Sequence, residues 1–183
     1  EKINVYGNNI TRESVIRNQI DIDEGDPFNE ILYTKSINNI KSLNFFEDVS
    51  GEVLDGTKFN SKIINISVIE KATGEIFAGL GTGTAGSNVS FGIKENNYLG
   101  RGVLVDSNLS VSDTRIKGRL FISNPNYKNS DKSLNFSLQS SVTDRLSTFG
   151  YKSNVMGMNL GTEFEYLDDL SLGISTRNSI EKI

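Results

Sequence analysis

Four stretches of this 183-residue sequence have residue types and spacings that could do chemistry. Gly81-Thr82-Gly83-Thr84-Ala85-Gly86 has the form G-x-G-x-x-G, which in a nucleotide site leads into a helix whose N-terminus meets the pyrophosphate. Here Asn88-Val89-Ser90-Phe91 follows and alternates as a strand does, so the segment reads as a hairpin turn. Asp21-x-Asp23-x-Gly25-Asp26 faintly suggests a calcium loop, but Gly25 stands where a third oxygen ligand is needed and Asp26 where glycine is needed. A solvated turn is the plainer reading. Arg115, Lys117 and Arg119 alternate along one strand face and could hold an anion such as a lipid phosphate, although a charged lumen face is the plainer and preferred reading. Asp168 and Asp169 form an acidic turn with no candidate nucleophile nearby.

The chain has no Cys, no His and no Trp. That excludes disulfides, thiolate catalysis, Cys-based zinc sites and every mechanism that needs an imidazole. No carboxylate pair can be assigned to a common site, so no catalytic residue, metal or cofactor is expected, and the protein is not expected to be an enzyme. The 19 basic and 23 acidic residues give a net charge of −4, which argues against nucleic-acid binding. No stretch approaches the ~18–20 apolar residues of a membrane helix. There is no signal peptide and the sequence opens on Glu1, as a piece of something longer would. The mean hydropathy of −0.31 does not exclude a membrane β-barrel, whose strands are only half apolar.

Composition shifts near Lys71-Ala72-Thr73-Gly74. Residues 1–73 hold 8 basic and 12 acidic residues and 4 of the 17 glycines. Two domains are expected, 1–73 and 74–183. In the first, Lys2 to Tyr6 alternates as a strand. Thr11 is placed to cap a helix carrying Val15, Ile16 and Ile20. Phe28, Ile31, Leu32, Ile37, Ile40 and Leu43 space a second helix face. Strands over 49–54 and 63–69 flank Asp55-Gly56, giving β-α-α-β-β. The second domain shows only period-2 alternation. Ile76, Ala78, Leu80 and Thr82 share a face, and six further strands follow, of about 9–11 residues each. Among them Leu134, Phe136 and Leu138 oppose Asn135, Ser137 and Gln139, and Met156, Met158 and Leu160 oppose Asn159. The expected fold is an α+β domain followed by an antiparallel sheet of about seven strands, open and curved. The period alone leaves membrane barrel and soluble sandwich equally open.

Residues 3–70 resemble a POTRA domain, the periplasmic repeat of the Omp85 superfamily. The likeness rests on Val5-Tyr6-Gly7-Asn8, Thr11 with Val15-Ile16, Gly25-Asp26-Pro27-Phe28, and Ser42-Leu43-Asn44-Phe45-Phe46-Glu47-Asp48-Val49. The last run is similar to Leu-Gly-Phe-Phe-x-x-Val, with Asn44 in place of the usual glycine. Residues 74–183 resemble the start of the Omp85 barrel. Asn97-Tyr98-Leu99-Gly100-Arg101-Gly102 is similar to Asn-Phe-Leu-Gly-x-Gly, and Phe121-Ile122-Ser123-Asn124-Pro125-Asn126-Tyr127 to Phe-x-x-Glu-Pro-x-Phe.

The resemblance implies an outer-membrane β-barrel with its POTRA domain in the periplasm, acting in outer-membrane protein insertion. Its implied partners are unfolded outer-membrane β-barrel proteins, accessory assembly lipoproteins and outer-membrane lipid. It also implies that the first barrel strand, Glu75-Ile76-Phe77-Ala78-Gly79-Leu80-Gly81-Thr82-Gly83-Thr84, is a lateral gate that pairs with a client strand. Gly79, Gly81 and Gly83 on one face would loosen packing and register there, or simply relieve crowding and allow curvature. The implied POTRA edge strand is Val49-Ser50-Gly51-Glu52-Val53-Leu54, open to β-augmentation. Leu134, Phe136, Leu138, Met156, Met158 and Leu160 would then face lipid. Two alternatives stand: a two-partner secretion transporter of the same superfamily, and a soluble β-sheet binding domain.

Overall fold

The computed structural model describes residues 2–83, 86–167 and 170–183. The chain forms two compact units, residues 1–73 together with Leu99–Gly102, and Gly74–Tyr98 together with Val103–Ile183.

The first unit runs β1 (Lys2–Tyr6), α1 (Glu13–Arg17), α2 (Glu30–Ser42), β2 (Phe46–Asp55) and β3 (Lys62–Glu70). The sheet order is β1-β3-β2, with β1 parallel and β2 antiparallel to β3. Ile3, Ile64, Ile66, Val68 and Val49 from the sheet pack with Ile16, Ile40, Phe45 and Phe46 in one buried core. The helix starts differ from the sequence expectation. The cap position is Arg12 rather than Thr11; α1 begins at Glu13, and Arg12 makes no side-chain cap bond. Thr11 is instead 2% exposed. In α2, Asn29 is the cap, its side chain accepting from the amides of Ile31 and Leu32. Ile31 is 79% exposed and so leaves the helix face it was assigned to. Asn44, in the position usually held by glycine, has φ +59°. This left-handed turn after α2 is one that only Gly and, at some cost, Asn or Asp adopt readily.

The loop after β1 is held by one carboxylate. Glu70, the last residue of β3, accepts the amides of Asn9 (2.9 Å), Ile10 (2.9 Å) and Thr11 (2.6 Å). Burial alone would raise its pKa, but the bonds from Thr11, Ile10 and Asn9 outweigh burial and hold it below the usual glutamate value.

The second unit is one antiparallel sheet in the order β10-β9-β8-β7-β6-β5-β4. Its strands are β4 (Gly74–Gly83), β5 (Gly86–Tyr98), β6 (Val103–Ser112), β7 (Arg115–Asn124), β8 (Lys132–Arg145), β9 (Tyr151–Leu167) and β10 (Leu170–Lys182). β4, β6 and β7 have the expected length at 10 residues, whereas β5, β8, β9 and β10 are longer at 13 to 17. Short connections join neighbours, including a helical turn, α3 (Leu146–Phe149), between β8 and β9. No helix among the described residues is long and apolar enough to cross a membrane.

Cross-strand register sorts the side chains into two faces. One row joins Ile76, Ile93, Ser107, Leu120, Leu138 and Met158. A second joins Ala78, Phe91, Leu109, Gly118, Ser140 and Met156. Because side chains alternate, the residues between them fall on the opposite face. There Phe77, Gly92, Asn108, Arg119, Gln139 and Gly157 share a row. The apolar face is exposed at many positions, among them Ile76, Leu109 and Met156.

Glu70→Gln is expected to destabilise the first unit by about 1–2 kcal/mol at neutral pH, from weakened hydrogen bonds to a charged acceptor. Because the folded pKa is lowered, this stabilisation is complete above the unfolded glutamate value and is lost as pH falls through the folded one. Urea unfolding of the intact chain and its Gln variant across acidic pH should show the two curves converging at low pH.

Candidate functional site

The two edges of the first unit's sheet are chemically unequal. On β1, the Ile3 amide donates to Glu24 Oε1 (3.0 Å) and the Ile3 carbonyl accepts from Arg17 Nη2 (2.8 Å). Arg17 and Glu24 also pair with each other at 3.5 Å, and Arg17 with Glu13 at 2.7 Å. The bond from Ile3, opposed by a smaller cost of burial and helped by Arg17, lowers the Glu24 pKa. An ion pair thus occupies the backbone groups of Ile3, which an incoming strand would need. The other edge is β2. No hydrogen bond among the described residues, outside its ladder with β3, involves residues 47–54. Ser50, Glu52 and Leu54 point outward, whereas Val49 is buried. Gly51 lies against Tyr33 and Ile37 of α2, where a Cβ would collide. The structure therefore leaves residues 49–54 on an uncovered edge, with β2 braced from behind by α2.

In the second unit β4 ends the sheet and is hydrogen-bonded on one side only, to β5. Of the expected gate residues, Thr84 lies outside the described residues, as do Ala85 and the Asp168-Asp169 turn. Gly79, Gly81 and Gly83 share the polar face. Ser90 and Asn88 from β5 lean over the first two, and among the described residues nothing lies within 4 Å of where a Cβ on Gly83 would sit. Phe77, on the same face, lies across Gly92, which has no room for a Cβ. An aromatic ring over a cross-strand glycine restores packing that glycine alone forfeits. The strand is thus braced at Phe77 and bare toward Gly83, a gradient the glycine pattern alone did not reveal.

Asn97, Tyr98, Leu99, Gly100 and Gly102 make the β5–β6 connection. Leu99 has φ +54°, Gly100 +68° and Gly102 +65°. Gly100 accepts the Arg12 amide at 2.8 Å, and a Cβ on it would overlap the Ile10 carbonyl. Gly102 faces Val15 and Phe45. The glycines are thus required by backbone sign and by close approach, not by a ligand. Pro125 follows β7 and opens its turn into β8.

Leu134, Phe136, Leu138, Met156, Met158 and Leu160 all fall on the apolar face. The calcium-like loop is turned to internal uses. Asp26 accepts the Asp23 amide at 3.3 Å, and Asp21 contacts Lys35 and Asn39. No group of three or more acidic residues could hold a metal ion among the described residues.

Comparison with known proteins follows this division. The POTRA family (surface antigen variable number repeat) matches residues 1–71. The outer membrane protein assembly factor BamA of Neisseria meningitidis is 25% identical over 145 residues, 78% of this chain. The crystal structure of BamA from Haemophilus ducreyi lacking POTRA domains 1–3 superposes with a TM-score of 0.83, covering 99% of this chain and 35% of that one, at 22% identity. Residues 1–71 thus match the POTRA family, and the chain as a whole is BamA-like in sequence and fold. CdiB from Escherichia coli shares the fold, with a TM-score of 0.66 at 12% identity over 100% of this chain and 37% of that one. The chain spans 18% of the length of the Neisseria relative.

Gly100→Ala is expected to cost several kcal/mol, since it forces both a Cβ–carbonyl overlap and a left-handed residue with a side chain. Gly83→Ala, with φ outside that region and open space around it, should change stability by less than about 1 kcal/mol. Parallel melting of the two variants checks the contrast.

Proposed function

We propose that this chain is the part of an outer-membrane assembly factor that receives unfolded β-barrel proteins. Its POTRA domain handles them in the periplasm, and β4 offers a template edge in the membrane. The observation that carries the reading is β4 itself, a terminal strand with a one-sided ladder and glycine on alternate positions of its polar face. The assembly-factor names of the curated relatives support it. Strand addition draws its affinity from backbone hydrogen bonds, so clients of unrelated sequence can use it. Loose packing around Gly79, Gly81 and Gly83 suits an edge that must exchange partners. The apolar face, with Leu138, Met156 and Met158, faces lipid. In the POTRA domain β2 is the receiving edge, for a client or an accessory lipoprotein, because the Arg17–Glu24 pair closes β1. No covalent step or cofactor enters. Insertion is promoted by supplying an edge and perturbing the bilayer, since unpaired strand groups in hydrocarbon cost several kcal/mol each.

The second reading, a two-partner secretion transporter of the same superfamily, rests on the fold likeness to CdiB. There the substrate would cross the lumen rather than pair with β4.

Cysteines placed singly along β4, in vesicle-reconstituted protein, should form disulfides with cysteines in the terminal strand of a folding barrel client. Capture should follow one register, with yields alternating every second residue. Capture only on the polar faces of β7 to β9, and none along β4, would favour the transporter.

A further inference from the structure

The polar face of the second unit carries a basic trough that neither strand pairing nor lipid contact employs. Two adjoining concavities, of about 440 and 340 Å³, meet at Lys117. Arg115, Lys117, Arg119 and Arg177 line them, and no Asp or Glu does, although the chain as a whole has more acidic than basic residues. None of the four cations has an ion pair among the described residues, and Arg119 rests over the Phe121 ring at 5.6 Å. On the same face Asp106 stands opposite Phe121, diagonal to Arg119, and Asp113 accepts the Ser87 amide at 3.3 Å, while Asp131, Glu163 and Glu165 line a separate concavity farther along. Between Arg119 and Arg177 the floor is Ser137, Gln139 and Asn159. The Asn159 Oδ1 is shielded and has no hydrogen-bond donor.

We infer that this trough binds an extended polypeptide segment bearing carboxylates on alternate residues. The spacing selects the occupant. Arg115, Lys117 and Arg119 stand at every second position of β7, so their side chains repeat at about 7 Å. An extended segment with acidic residues at every second position presents charges at that same repeat. A single phosphate needs cations that converge on one point, whereas these are strung in a line. Backbone N–H groups of such a segment can donate to the side-chain oxygen of Gln139, which is exposed on the floor. Gly81, Thr82 and Gly83 of β4 border the larger concavity, but strand addition uses the backbone edge of β4 and the cations stand on β7 and β10, so the loss of one activity is distinguishable from the loss of the other.

The test uses the full chain in neutral detergent and a fluorescent peptide of alternating Ser and Glu. The comparison probes are an isomer with its glutamates contiguous, and inorganic phosphate as competitor at matched ionic strength. The alternating peptide should bind more tightly than its isomer, and binding should fall with added salt. Lys117→Gln and Arg119→Gln should each weaken it about fivefold, the scale of an exposed ion pair. Arg119→Lys, which keeps the charge and the fold, should retain it, and Leu80→Ala in β4 should leave it unchanged. Equal affinity for the two isomers, efficient displacement by phosphate, or insensitivity to the Lys117 and Arg119 changes would overturn the inference.

Discussion

Register is the constraint on which the second unit depends. Seven strands keep one alternation across six ladders, so Ile76, Ile93, Leu120, Leu138 and Met158 fall on one face and Arg119 and Gln139 on the other. A slip of one residue in any ladder would send one strand's apolar set among the cations. Register irregularities occur between Glu95 and Tyr98, beside the glycine-rich turn, and between Leu170 and Ser171. Elsewhere the hairpins are regular. The alternation lets one sheet present an apolar surface and a hydrogen-bonding surface at once, as a barrel wall must.

Within the first unit a different economy operates. The sheet is small, and its two edges are distinguished by side chains rather than by position. Arg17 and Glu24 saturate Ile3 on β1, while β2 is left open. Glu70 gathers three consecutive amides that a loop could not satisfy alone. The left-handed residue Asn44 leads into Phe45 of the core, and left-handed Gly102 lies against Phe45 and Val15. Such residues persist only where the packing around them leaves the chain no alternative.

The β-α-α-β-β order and the seven alternating strands were legible because local period and turn residues determine them. The resemblance to the Omp85 superfamily was legible from short runs that turn out to be geometric necessities. Gly100 and Gly102 sit at positive φ, and Asn44 takes the glycine's place with the same backbone sign. What the sequence hid was long-range. Nothing near Glu70 announces that it serves residues about 60 positions away. Thr11 looked like a helix cap because its type fits, yet Arg12 takes the cap position and Thr11 turns inward. Ile31 fitted the helical period but lies on the exposed side of α2, where spacing alone gives no phase. The bracing of Phe77 on Gly92 and the basic trough required the register, which alternation within single strands does not supply.

The most direct test of the account is a lipid-versus-water accessibility scan across one ladder of the sheet in bilayers. Spin labels placed singly at Leu120, Leu138 and Met158, and at Arg119, Gln139 and Asn159, would be probed with oxygen and with a water-soluble nickel chelate. The account predicts that the first three are reached mainly by oxygen from the lipid and the second three mainly by the chelate, alternating residue by residue. Equal chelate access on both faces would contradict it and return the second unit to a soluble β-sheet.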